Sequence, residues 1–233
     1  MSRHEEYLPV NPVQRYYDWR SEDKSFCFYD ATAEQRYSEN LPWKFYIIRE
    51  RICVRGFDKN TQMQVFSNEI RFSSKEELNV RWSDNTTIAK GLWKDIKDEV
   101  KANGGHFTKL FYAMSDNLEL VCIRIKGNGL LSWGEVVGKS QKKQQSEWIS
   151  VTGYAEKAFG ESINTFPTFN FGGGLTPSED QVANDLFAEL KEYGLIKSSA
   201  RAESTTATTS STVSIPESQL QLDPSNDDDD LPF

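Results

Sequence analysis

A chain of 233 residues with 37% hydrophobic content has room for one domain with a core, yet no apolar run in it reaches the roughly 20 residues of a membrane span. Three scattered cysteines (Cys27, Cys53, Cys122) and two distant histidines (His4, His106) leave little from which to build a disulfide framework or a zinc site. The net charge of −8 argues against nucleic acid only until its distribution is read: residues 198–233 hold one base against seven acids, so residues 1–197 carry 26 bases against 28 acids and are close to neutral.

The first residues, Met1-Ser2-Arg3-His4-Glu5-Glu6, lack the basic-then-apolar order of a secretory signal, and a reducing, cytoplasmic setting is expected. Residues 1–42 are rich in rings (Tyr7, Tyr16, Tyr17, Trp19, Phe26, Phe28, Tyr29, Tyr37) but aperiodic, too apolar for free disorder. They read as an arm lying on the domain, with short strand pieces near 26–30, or reaching a neighbouring protomer. From Trp43 the pattern is that of a strand. Over 45–57 the even positions Tyr46, Ile48, Ile52 and Val54 are apolar apart from Glu50, while the odd ones carry Arg49, Arg51 and Arg55 between Phe45 and Phe57. Asp58-Lys59-Asn60-Thr61 predicts a turn, 63–72 a returning strand with Phe66, Ile70 and Phe72 on one face, and Leu78, Val80 and Trp82 a third strand alternating with Asn79 and Arg81.

A helix is expected over 86–101, capped by Asp84 or Thr86, stopped by Gly104-Gly105, with Ile88, Leu92, Trp93, Ile96 and Val100 on its buried side. A hairpin of 107–114 and 118–126 follows. Residues 130–137 read as more sheet, 139–145 as a basic loop, 148–158 as a last strand, and 166–175, with three phenylalanines and three glycines, as a loop on an apolar surface. Three strands, a helix, then two or more strands give a mainly β fold with some α: an OB-fold, the five-stranded Greek-key barrel. Thr176-Pro177-Ser178-Glu179 starts a further helix over 177–193 that buries Val182, Leu186, Leu190 and Tyr193 and ends at Gly194. The domain is thus 43–197. Residues 198–233, dominated by Ser, Thr and Ala, form a disordered linker leading to an acidic tip.

Enzymatic motifs are missing from this pattern. No Gly-rich loop ends in Gly-Lys-Ser/Thr, Gly172-Gly173-Gly174 is followed by no lysine, and no Gly-x-Ser-x-Gly elbow occurs. No catalytic residue, metal or cofactor is expected. Sequence-independent binding of a single strand needs cations along the phosphates and rings under the bases. Arg49, Arg51, Arg55 and Phe57 supply both on one strand, extended by Lys59. Lys109 with Phe111 (and Phe107), then Arg124 and Lys126, form a second candidate patch, and Trp133 beside the basic loop a third.

The chain ends Asp227-Asp228-Asp229-Asp230-Leu231-Pro232-Phe233. Four adjacent carboxylates stay hydrated, whereas the proline stiffens an apolar end: a hook suited to a small apolar pocket rimmed by Lys or Arg. This ending, behind a Ser/Thr-rich linker, resembles the acidic tip of bacterial single-stranded-DNA-binding proteins (SSBs). The segments Gly56-Phe57-Asp58, Phe66-Ser67-Asn68-Glu69-Ile70-Arg71 and Ile88-Ala89-Lys90-Gly91-Leu92-Trp93-Lys94-Asp95-Ile96 resemble phage-encoded SSBs. The resemblance implies a non-enzymatic protein that coats single-stranded DNA during replication, recombination and repair. It also implies a tip, Asp227 to Phe233, that recruits a polymerase, primase, helicase or recombinase, and it leaves monomer and homo-oligomer open. A replisome adaptor with an OB-like domain, or a metal-dependent nuclease, are the alternatives the sequence leaves standing.

Overall fold

The computed structural model describes residues 10–159 and 162–204. In chain order its elements are β1 (Arg15–Arg20), β2 (Ser25–Asp30), β3 (Gln35–Ser38), β4 (Trp43–Asp58), β5 (Met63–Ser67), β6 (Leu78–Trp82), β7 (Thr87–Gly91), α1 (Trp93–Ala102), β8 (Gly105–Ser115), β9 (Leu120–Lys126), α2 (Asn128–Trp133), a π-helical turn (Gly134–Gly138), α3 (Gln141–Gln144), β10 (Glu147–Phe159), β11 (Ser162–Gly174) and α4 (Pro177–Ser204). The chain is mainly β with some helices. Among the described residues the strands join one open mixed sheet of eleven, ordered β3-β2-β1-β9-β8-β4-β5-β6-β7, with β10 on β4 and β11 on β10. The aromatic arm is therefore part of the sheet: β1 lies parallel to β9, and β2 and β3 extend it as antiparallel hairpins.

β4 organises the rest. Its 16 residues pair with β8 along nearly their whole length, with β10 through Trp43 to Phe45 and with β5 through Arg55 to Asp58. A register shift against β8 between Ile47 and Arg49 inserts one extra residue, Ile48. Such a bulge reverses which parity faces the core. Before it the odd residues Trp43, Phe45 and Ile47 pack inward; after it the even residues Ile52 and Val54 do. The alternation over 45–57 is real, but it changes phase, and this change puts Arg49, Arg51 and Arg55 on the outer face.

Inside lie two adjoining cores bridged by Phe107. One gathers Tyr17, Phe26, Trp43, Phe45, Phe111, Ile123, Trp133, Ile149 and Phe169; the other, under α1, gathers Val54, Val65, Leu78, Val80, Ile96 and Val100. The β4–β8–α1 junction needs glycine: a Cβ on Gly56 would sit 1.9 Å from the Gly104 carbonyl oxygen, and Gly104 itself has φ +73°. On the outer face smaller clusters seat α4 through Leu186, Leu190 and Ala183.

Several expected elements differ. Residues 87–91 form β7 rather than the first turn of the helix, because Asp84 and Asn85 make a hairpin turn: the Thr86 amide donates to Asp84 Oδ1 at 2.8 Å, and Asn85 takes φ +69°. Ala89 then faces the core as a strand residue and the helix begins only at Trp93. The expected strand over 130–137 is α2 and the π-helical turn, since Leu130, Trp133 and Val137 are buried at helical spacing. The glycine- and phenylalanine-rich stretch 166–175 is not a loop but belongs to β11, an outermost strand, where Pro167 is tolerated. The returning strand ends at Ser67, short of Phe72.

α4 begins as the sequence predicts. Thr176 Oγ1 accepts from the Glu179 amide at 3.3 Å, and Glu179 Oε2 accepts from the Thr176 amide at 2.7 Å, a reciprocal capping box. It does not stop at Gly194 but continues to Ser204, seven residues into the segment expected as linker. A single glycine costs a helix only about 1 kcal/mol, less than the helix-favouring residues around it supply. The backbone hydrogen bond from Thr176, with further help from the Thr176 hydroxyl, Trp148 and Lys44, holds the Glu179 carboxyl below its ordinary value. A depressed carboxylate stabilises the fold above its unfolded-state pKa and loses that contribution as pH falls through its folded-state value. Glu179→Gln is therefore expected to lower the Tm near neutral pH, with the gap to the wild type closing as the pH falls below the ordinary carboxylate range, as followed by circular dichroism.

Candidate functional site

Residues opposite one another on adjacent strands share a face, so the register shows which side chains the sheet brings together. Arg51 stands opposite Leu110, Leu110 opposite Arg124, and Arg124 opposite Asp18. One row along, Cys53, Thr108 and Lys126 align. In the next row His106, Arg55, Phe66 and Arg81 align across β8, β4, β5 and β6, and Phe57 lies opposite Gln64 beyond them. A single outer face thus carries Arg49, Arg51, Arg55, Arg81, Arg124 and Lys126 with the half-buried rings of Phe57 and Phe66. Arg71 lies close to it, in the loop after β5.

The charges on this face are crowded. Burial, and then the neighbouring guanidiniums of Arg49 and Arg71, push the Arg51 pKa down, with Glu69 and Tyr112 opposing. Glu69 accepts from the Tyr112 hydroxyl at 2.7 Å, and burial, then the Glu69 charge, raises that phenol. Arg124 is ion-paired with Asp18 on β1, which holds its guanidinium in place and raises its pKa against the opposing effect of burial. Nε of Arg55 and Nε of Arg124 are both buried without a hydrogen-bond partner. Arg49 sits with its guanidinium carbon 5.8 Å from the Phe187 ring, so α4 borders the face on that side. Burial pushes the Cys53 thiol up to about 11 and raises Cys122 as well; both are buried and un-ionised at neutral pH.

The sequence-predicted residues divide cleanly. Arg49, Arg51, Arg55, Phe57, Arg124 and Lys126 are brought together on the outer face, and Lys59 is exposed in the β4–β5 turn at its end. Lys109 is not with them: opposite Ile52 and Ile125, it faces the other side and pairs with Glu50 Oε1 at 2.7 Å. Phe111 and Trp133 are corrections. Their relative exposures are 0% and 1%, and their centroids stand 4.2 Å apart in the larger core, where neither ring can meet a base. The tip Asp227, Asp228, Asp229, Asp230, Leu231, Pro232 and Phe233 lies outside the described residues.

Sequence reasoning missed Phe66, Arg71, Arg81 and Tyr112. Arg81 alternates with buried Val80 and so is legible as an outward residue, but its place beside Arg55 depends on the register of three strands. Phe66 was expected to share a face with Ile70, which fails because the strand ends between them. Among the described residues no cluster of three or more His, Cys, Asp or Glu could hold a metal ion, and no helix is long and apolar enough to cross a membrane. No family model matches the chain, and neither a curated protein nor a solved structure matches it.

Proposed function

We propose that the protein is a non-sequence-specific single-stranded-DNA-binding protein that coats exposed strands during replication, recombination and repair. The observation that carries this reading is the crowding of Arg49, Arg51 and Arg71, with Arg55, Arg81, Arg124 and Lys126 on the same side. Like charges held this close raise the free energy of the empty face, and a polyanion laid across it lowers it. Rings at Phe57 and Phe66 among the cations suit bases, which offer a π-face whatever their identity.

The OB-type reading of the domain rests on strand order. β5 and β6 follow β4 on one side, while β8 and β9 follow α1 and return on the other, giving β6-β5-β4-β8-β9 with a helix before the fourth of these strands. That is the sequence of strands in such a barrel, with the cations on its outer side. The parallel partner of β9 is β1. Recruitment of replication and repair enzymes belongs to the Asp227–Phe233 tip, by the acidic and apolar chemistry of its sequence.

The test is an anisotropy titration of labelled oligo-dT at low salt, with duplex DNA and RNA as competitors. Tryptophan quenching is a poor reporter because Trp43, Trp133 and Trp148 are buried. Saturable binding that duplex fails to displace is expected; no binding in dilute buffer overturns the reading.

A further inference from the structure

The loop between β5 and β6 carries a ring that the fold does not use. Phe72 is 52% exposed, and the Arg71 guanidinium carbon and the Lys75 ammonium lie 5.4 Å and 5.7 Å from its centroid. Isolated exposed apolar residues are ordinary on protein surfaces. This one is held rigidly. Two residues before it, Ile70 is 2% exposed, and its amide and carbonyl both bond to Ile52 at 2.8 Å, stapling the loop to β4. Glu76 Oε1 accepts from the amides of Arg71 and Phe72 at 3.2 and 3.1 Å, while the Phe72 carbonyl accepts from the amides of Lys75 and Glu76 at 3.1 and 3.0 Å. At the base of the loop Asn68 spans it, donating to the Glu77 carbonyl and accepting from the Asn79 amide. The backbone N–H and C=O of Phe72 are thus both paired, so the ring is presented on an ordered backbone and less ordering is left to whatever lands on it.

The loop also adjoins the cationic strand, since Ile70, next to Arg71, pairs with Ile52, next to Arg51. We propose that Phe72 is a base-stacking finger: an unpaired base of the bound strand lies on its ring, and Arg71 and Lys75 hold the phosphates on either side of that base. This rests on the single-strand reading above and adds to Phe57 and Phe66 an exposed ring that would recognise bases rather than charge. Two cations beside one exposed aromatic ring suit a flat ring system linked to phosphates.

The experiment separates stacking from charge. Wild type, Phe72→Ala, Phe72→Trp and the double variant Arg51→Ala/Arg55→Ala are titrated with an oligo-dT and with an abasic oligomer of the same length. Because Phe72 is exposed, its variants keep the core intact. Expected are a fall of about five- to 150-fold in dT affinity for Phe72→Ala, no change on the abasic strand, and recovery in Phe72→Trp. The double arginine variant loses affinity for both strands. Unchanged dT affinity in Phe72→Ala overturns the finger while leaving the function standing. An equal fall on both strands also overturns it, since the ring then serves only to place Arg71 and Lys75. Wild type that binds neither strand removes the single-strand reading, and the finger with it.

Discussion

Alanine at Arg51, Arg55 and Arg81 together lowers the slope of log affinity against log salt by about 2, because each phosphate contact on a single strand contributes about 0.7. Register groups the three: Arg55 and Arg81 flank Phe66, and Arg51 lies on the same side two strand-repeats along β4. Arg49 was left out because Phe187 stacks near it and its loss would disturb the seating of α4. At low salt the triple variant binds oligo-dT far more weakly, and at high salt it approaches the wild type, where counterion release no longer drives association. Alanine at Lys109, ion-paired with Glu50 on the opposite face, leaves the slope unmoved. A triple variant with the wild-type slope would take the outer face out of the binding site.

The second large effect is on stability. Trp133→Ala empties a site bounded by Phe45, Phe111 and Phe169, whose ring centroids lie 6.4, 4.2 and 5.2 Å from that of Trp133. Removing a buried ring of this size costs about 3–5 kcal/mol, a large share of the roughly 5–15 kcal/mol that holds a domain folded. Urea denaturation is expected to show a midpoint shifted strongly downward, with affinity for oligo-dT retained by whatever fraction remains folded. Trp133→Phe is much milder, since the indole Nε1 has no hydrogen-bond partner in the core and its removal leaves no bond broken. A stable Trp133→Ala protein with lost DNA affinity would mean the ring meets the ligand after all.

How much of this could be read from the chain depended on whether the signal was local. The β4 strand itself, the β8–β9 hairpin and the Thr176–Glu179 cap are each written within a few residues and stand where expected, whereas the bulge at Ile48 that shifts the phase of β4 has no local signal. The failures have a shared cause. Leu130, Trp133 and Val137 fit helix spacing, but the short apolar run they sit in also fits a strand. Ile88-Ala89 reads as a helix until the Asp84-Asn85 turn is recognised as closing a hairpin. Burial of Phe111 and Trp133, against exposure of Phe72, is settled by what lies across the sheet, and no window of sequence contains that. The arginine face is the intermediate case. Arg49, Arg51 and Arg55 announce themselves on one strand, while Arg81 and Arg124 join them only through the pairing of β6 and β9.

The parallel pairing of β1 with β9 has a consequence for how the molecule is made. Asp18 meets its partner Arg124 across about a hundred intervening residues, and a long-separated pairing of this kind closes late because the loop entropy must be met first. As synthesis proceeds from the N-terminus, the ring-rich hairpins β1–β3 leave the ribosome well before β9 exists to receive them. During that interval Tyr17 and Phe26 can reach Trp43, and Phe28 can reach Tyr37, but the β9 face of their core is still missing. The nascent arm therefore spends the synthesis of about a hundred residues with an unpaired strand edge, the kind of exposure that invites off-pathway association.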